Sequence, residues 1–160
     1  MRSYQKLSMS LILAVAFLCQ GVSFAETATV VSASVQKKKA SLFRHRSYPA
    51  AWTAAQESNR PILIYVTMPQ CPHCVKMIEQ TFKRPAVGKL VSGSFETICA
   101  DRYTHAKLVE KLQVKWYPTT VLVTPNNKVL DVIEGYVEPA KFKQQLQTGL
   151  AAAGPSSQTR

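Results

Sequence analysis

From residue 49 onward, apolar and polar positions fall into short blocks of recognisable period. Residues 49–58, PAAWTAAQES, predict a short helix with Pro49 in the first turn, where a missing N–H leaves no bond unmade. Trp52 is expected to pack this helix on the domain. ILIYV, residues 62–66, is a continuous apolar run behind Pro61, the pattern of a strand buried on both faces. From Pro72 the pattern turns helical. Val75, Ile78 and Phe82 recur at spacings of three and four and predict one apolar stripe. Pro85 breaks or restarts that helix, and AVGKLV carries it to Val91. FETICAD, 95–101, predicts a second strand. THAKLVEKLQ, 104–113, predicts a helix with Thr104 as N-cap and Leu108 and Leu112 facing inward. TTVLVT, 119–124, and VLDVIEGY, 129–136, predict a hairpin around the turn PNNK. A last helix starts near Pro139, buries Phe142 and Leu146, and ends near Gly149.

The predicted order is helix, strand, helix, strand, helix, strand, strand, helix. A strand–helix–strand unit followed by a hairpin and a helix makes an α/β domain, with a mixed sheet covered by helices on both faces. No internal repeat or second domain is evident. The domain is expected over residues 48–151, and residues 152–160 form a flexible tail.

The residues ahead of the domain read differently. Arg2 and Lys6 precede a mostly apolar run, LSMSLILAVAFL, too short to span a bilayer comfortably, and Ser23 and Ala25 supply small residues for cleavage. Residues 1–25 are therefore expected to be a signal peptide and the protein to be periplasmic or secreted. Cys19 is a minor candidate for lipidation, although Leu18 is too large for the usual acceptor motif. Residues 26–47 are small, polar and basic and read as a linker. The full chain carries a formal net charge of +11, and loss of Arg2 and Lys6 leaves +9. Much of this excess lies in QKKKASLFRHR, 36–46, read as a solvated basic segment. No aromatic residues interleave with it in a nucleic-acid-binding pattern, so no nucleic-acid partner is expected.

Export changes how each cysteine is read, because thiols outside the cytosol can form disulfides and keep them. Of the four cysteines, Cys71, Cys74 and Cys99 remain after residue 25. Cys71 and Cys74 flank a proline and a histidine in MPQCPHCVKM. Pro72 belongs at the first position of a helix, which makes Cys71 the N-cap. Its sulfur is placed to receive the amides of His73 and Cys74, and the helix dipole adds partial positive charge. Both effects favour the thiolate and lower the Cys71 pKa from about 8.5. Cys71 is then the attacking sulfur, and Cys74, one turn deeper, the resolving one. A structural zinc site would need four ligands, and a single CxxC supplies two. Val75 after Cys74 removes the CxxCH pattern of haem attachment. No metal and no cofactor is expected. Cys99 reads as an inert strand cysteine.

With these features assembled, residues 49–150 resemble the thioredoxin superfamily. The likeness rests on the CxxC between a buried strand and a helix, then WYPTT at 116–120 opening the third strand, then the hairpin and last helix. It implies the thioredoxin fold, with a mixed four-stranded central sheet, and a cis-proline at Pro118. It also implies that Tyr117, Pro118 and Thr119 lie beside the disulfide and bind the substrate backbone. RPILIYVTMPQCPHCVKMIEQTFKRPAVGKL is most similar to exported domains of the DsbD C-terminal type. The resemblance implies thiol–disulfide exchange with protein thiols or disulfides, and a membrane or soluble redox partner protein. Two positions depart from it. Tyr65 stands where thioredoxins carry a buried aspartate that moves the proton of the resolving cysteine, and Gln70 stands in place of their tryptophan. Glu79, Lys76 or water is left to serve Cys74. Pro72 and His73, the dipeptide of DsbA-type oxidases, tune the redox poise toward oxidation, while the compact scaffold is that of a reductase. A non-catalytic binding module, with a static disulfide or weak metal site, is the alternative reading.

Overall fold

A computed structural model describes residues 41–154, so residues 1–25, expected to be a signal peptide, Cys19, most of the expected linker and the end of the tail lie outside the described residues. Helix α1 (Tyr48–Ser58) leads into strand β1 (Ile62–Thr67). A short helix α2 (Pro72–Lys76) continues as a π-helical turn (Met77–Phe82), followed by α3 (Pro85–Ser94) and β2 (Glu96–Asp101). Helix α4 (Ala106–Lys111), strands β3 (Thr119–Val123) and β4 (Val129–Glu134), and helix α5 (Pro139–Ala152) complete the chain. The sheet order is β2-β1-β3-β4, with β1 and β2 parallel and the other pairs antiparallel. This is the thioredoxin fold.

Alternation along β1 divides the core. Leu63 and Tyr65 point to one face, where they join Met77, Phe82, Val91, Phe142 and Leu146. Ile62, Ile64 and Val66 point to the other, against Ala51, Ala55 and Val109. A strand this central is apolar at every position because neither face meets water.

Local chemistry explains most element ends. The Ser47 hydroxyl accepts the Ala50 amide at the start of α1, and Asn59 closes that helix in the left-handed region with φ 51°. Trp52 does pack α1 on the domain, although its ring is partly exposed: its indole N–H donates to the Pro125 carbonyl in the β3–β4 turn at 2.8 Å.

Four expectations are corrected. Val75 is 63 % exposed and does not belong to an apolar stripe, because the π turn adds a residue to the helix and brings Cys74, Met77, Thr81 and Phe82 inward instead. Thr104 is not the N-cap of α4, which begins after His105. The Asp101 carboxylate accepts the amides of Tyr103 and Thr104, and the Thr104 hydroxyl pairs with the His105 ring. Gly149 does not end α5, which runs on to Ala152. Gly149 is where the helix meets β3 so closely that a Cβ would collide with the Leu122 side chain.

The fourth concerns residues read as linker. Leu42 and Phe43 pack against the core, and the amides of Arg44 and His45 both donate to the Thr97 carbonyl, at 3.1 and 3.0 Å. His45 forms an isolated parallel bridge with Ile98 and partly covers the open edge of β2.

Candidate active site

β1 ends at Thr67, and the chain turns through Gln70, which adopts φ 56°. That reversal delivers Cys71 to the start of α2 as its N-cap. The Cys74 amide donates to the Cys71 sulfur at 3.1 Å and shares the Cys71 carbonyl with the Val75 amide. Of the two amides expected to reach the sulfur, only that of Cys74 does. Cys71 and Cys74 are joined in a disulfide with Cα atoms 5.2 Å apart. Cys71 is 9 % exposed and Cys74 3 %, so an approaching group meets Cys71 first. Pro72 and His73 both lie at the surface beside it.

From beneath, the Tyr65 hydroxyl donates to the Cys74 carbonyl at 2.9 Å. Tyr65 is 1 % exposed. Burial holds its phenol well above the ordinary value; Cys99 adds to this and a hydrogen bond with Thr67 works against it. The hydroxyl therefore keeps its proton throughout the working pH range. Glu79 and Lys76 are engaged elsewhere. The Lys83 ammonium donates to Glu79 at 2.6 Å, and the Lys76 ammonium sits 4.0 Å from the centre of the Tyr136 ring.

The loop before β3 reaches the same end of the sheet. Val66 pairs with Thr119, so the chain just before Thr119 lies alongside the end of β1, where the cysteine turn begins. The Tyr117–Pro118 peptide is cis. Pro118 is buried and its carbonyl accepts the Gly135 amide at 2.7 Å. The expected contact with the substrate backbone would fall to the main chain of Thr119, not its side chain. Thr119 is 1 % exposed, and its hydroxyl donates to the Trp116 carbonyl at 2.7 Å, closing the loop on itself. Tyr117 is half-buried, with the Arg102 guanidinium 5.7 Å from its ring centre. Two aromatic residues escaped the sequence reading. Trp116 is 67 % exposed, and Tyr103 is 65 % exposed with the same guanidinium 5.6 Å from its ring. The signal for Trp116 was its place directly before Tyr117–Pro118; Tyr103 carried none. Beside Tyr117 a groove of about 540 Å³ is lined by Arg102, Val109, Glu110, Gln113 and Lys115.

This arrangement has known counterparts. A family profile for a thioredoxin-like domain matches residues 48–150. The chain belongs to that thioredoxin-like family. Among solved structures, a thioredoxin from Thermus thermophilus aligns with a TM-score of 0.64 at 23 % identity, over 71 % of this chain and 92 % of that one. The DsbH oxidoreductase aligns with a TM-score of 0.62 at 16 % identity, over 82 % and 95 %. The reduced C-terminal domain of Neisseria meningitidis DsbD aligns with a TM-score of 0.56 at 20 % identity, over 63 % and 91 %. At these identities the likeness speaks for the fold. No curated protein sequence matches the chain.

Proposed function

We propose that this thioredoxin-like protein is an exported thiol–disulfide oxidoreductase acting on protein thiols or disulfides, with Cys71 attacking and Cys74 resolving. One observation carries the reading. The more exposed sulfur of a CxxC disulfide caps a helix and accepts a backbone amide, in a thioredoxin fold with a cis-proline loop at the same end of the sheet. An amide aimed at sulfur favours the thiolate, the nucleophile and leaving group that exchange needs.

As a reductase, the Cys71 thiolate attacks a substrate disulfide and releases one substrate thiolate. Cys74, having lost its proton to water, then attacks Cys71 and releases the second. As an oxidase, a substrate thiolate attacks Cys71 and expels Cys74. A second substrate thiolate then cleaves the mixed disulfide, leaving substrate oxidised and both cysteines reduced. Either cycle moves two electrons and needs a redox partner, membrane-bound or soluble, to reset the pair. Tyr117, exposed Trp116 and the adjoining groove with its Arg102 and Lys115 rim are the surface offered to the substrate chain. Export rests on the signal-peptide pattern of residues 1–25. Replacing Cys71 by Ser is expected to abolish both insulin reduction and oxidation of a dithiol peptide. Retained activity in both would leave the pair a static disulfide in a binding module.

A further inference from the structure

The resolving cysteine needs help that none of the charged neighbours gives. Glu79 is held by Lys83, and Lys76 by Tyr136. Among the described residues, Tyr65 is the one side chain from another element that hydrogen-bonds the 71–74 turn. Its aim is fixed by packing. Phe43 stacks on its ring, with centroids 5.6 Å apart and planes at 15°, and Phe82 meets it edge-on at 5.0 Å. Phe43 belongs to the segment anchored on Thr97, so residues far apart in sequence hold one phenol in place.

We propose that Tyr65 is a positioning residue for the resolving step, acting through the main chain of Cys74. This rests on the exchange function proposed above. The O–H dipole presents its positive end to the Cys74 carbonyl oxygen. It offsets part of the negative end of that carbonyl, which also accepts the Met77 amide, and holds the Cys74 main chain in place. Tyr65 transfers no proton, because burial keeps its own in place. In the step it assists, the Cys74 thiol gives its proton to water and the thiolate attacks the Cys71 sulfur of the mixed disulfide. The Cys71–Cys74 bond forms, the bond to the substrate sulfur breaks, and the substrate thiolate leaves with the electron pair and is protonated by solvent.

The Tyr65→Phe variant keeps the ring and its packing and removes only the donor. The reduced protein is mixed with oxidised glutathione, quenched with acid, and the Cys71–glutathione adduct followed by mass spectrometry across pH 5 to 9. Formation of the adduct reports Cys71, and its decay reports Cys74. For Tyr65→Phe, formation is expected at the parent rate, with decay slowed roughly fivefold, the scale of one net hydrogen bond. The midpoint of the decay against pH should also move upward. Decay at the parent rate with the parent midpoint overturns the proposal. So does parallel slowing of both steps with no movement of the midpoint, since that is the signature of a loosened fold. A parent protein that forms no adduct overturns the exchange function as well, whereas an active parent with an indifferent variant overturns the role of Tyr65 alone.

Discussion

Cys99 faces Tyr65 across the β1–β2 ladder and packs beside it on the α2–α5 side of the sheet. It is half-buried, and burial, with a smaller push from the Asp101 carboxylate, raises its thiol from 9.0 to about 11. The unfolded chain ionises this thiol near its ordinary value, and the folded chain resists doing so. The stabilisation is therefore complete below about pH 9 and is lost as pH rises toward 11. The urea midpoint of the oxidised protein is expected to fall over that window, and by less in Cys99→Val. In the folded protein at pH 8, Cys99 is expected to react with iodoacetamide far more slowly than after denaturation, read at its own peptide by mass spectrometry. The inert strand cysteine expected from FETICAD fits this environment, although its side chain is only half covered. The same strand register gives Tyr65 its role. An apolar run such as ILIYV predicts that a tyrosine is buried, but not that its hydroxyl ends 2.9 Å from the Cys74 carbonyl.

Residues 42–46 act together as an element. Glu96 is 6 % exposed, and a carboxylate so deep needs partners. His45 lies 2.7 Å from it, Arg44 3.3 Å, and the Ser58 hydroxyl donates at 3.2 Å. The Arg44 guanidinium also reaches the Phe95 carbonyl. Beside this polar anchor, Phe43 covers Tyr65 and meets Phe82 edge-on at 5.5 Å. Phe43→Ala is expected to lower stability by about 2 kcal/mol, below the range for a fully buried phenylalanine because Phe43 is partly exposed. Urea unfolding monitored by fluorescence checks this, and a cost near zero would show that the segment only rests on the domain. The segment looked like linker because its composition is basic and aperiodic. Its partners, Thr97, Glu96 and Tyr65, lie 22 to 55 residues away, beyond any local pattern. The π turn was hidden for a similar reason: Val75, Ile78 and Phe82 fit a regular stripe until the inserted residue turns Val75 to solvent.

At the scale of the molecule, the parallel strands β1 and β2 and the loop before β3 converge on one end of the sheet. The disulfide, the cis-proline loop and the exposed Trp116 and Tyr103 all belong to that end. The direction of electron flow is a property of this whole end, set by how far the reduced pair is stabilised over the disulfide. The Pro72–His73 dipeptide, like that of DsbA-type oxidases, is expected to favour the thiolate and with it an oxidising pair. Equilibration of the Cys71–Cys74 pair with glutathione is expected to give a potential well above the value of about −270 mV typical of thioredoxin. A value at or below it would make the protein a reductase and show that the scaffold outweighs the dipeptide.

The buried first strand, the CxxC at a helix start, the hairpin and the last helix are legible in residue order, because each rests on local period, proline placement or turn chemistry. Residue order also placed the two cysteines and the cis-proline loop, through motif and resemblance. Tertiary structure decided what surrounds them. It turned the Thr119 hydroxyl inward to Trp116, tied up Lys76 and Glu79, folded residues 42–46 onto the β2 edge, and set Tyr65 beneath Cys74. These depend on register between strands and on contacts across the core, where hydrogen bonds need placement to a few tenths of an ångström and composition carries no such information.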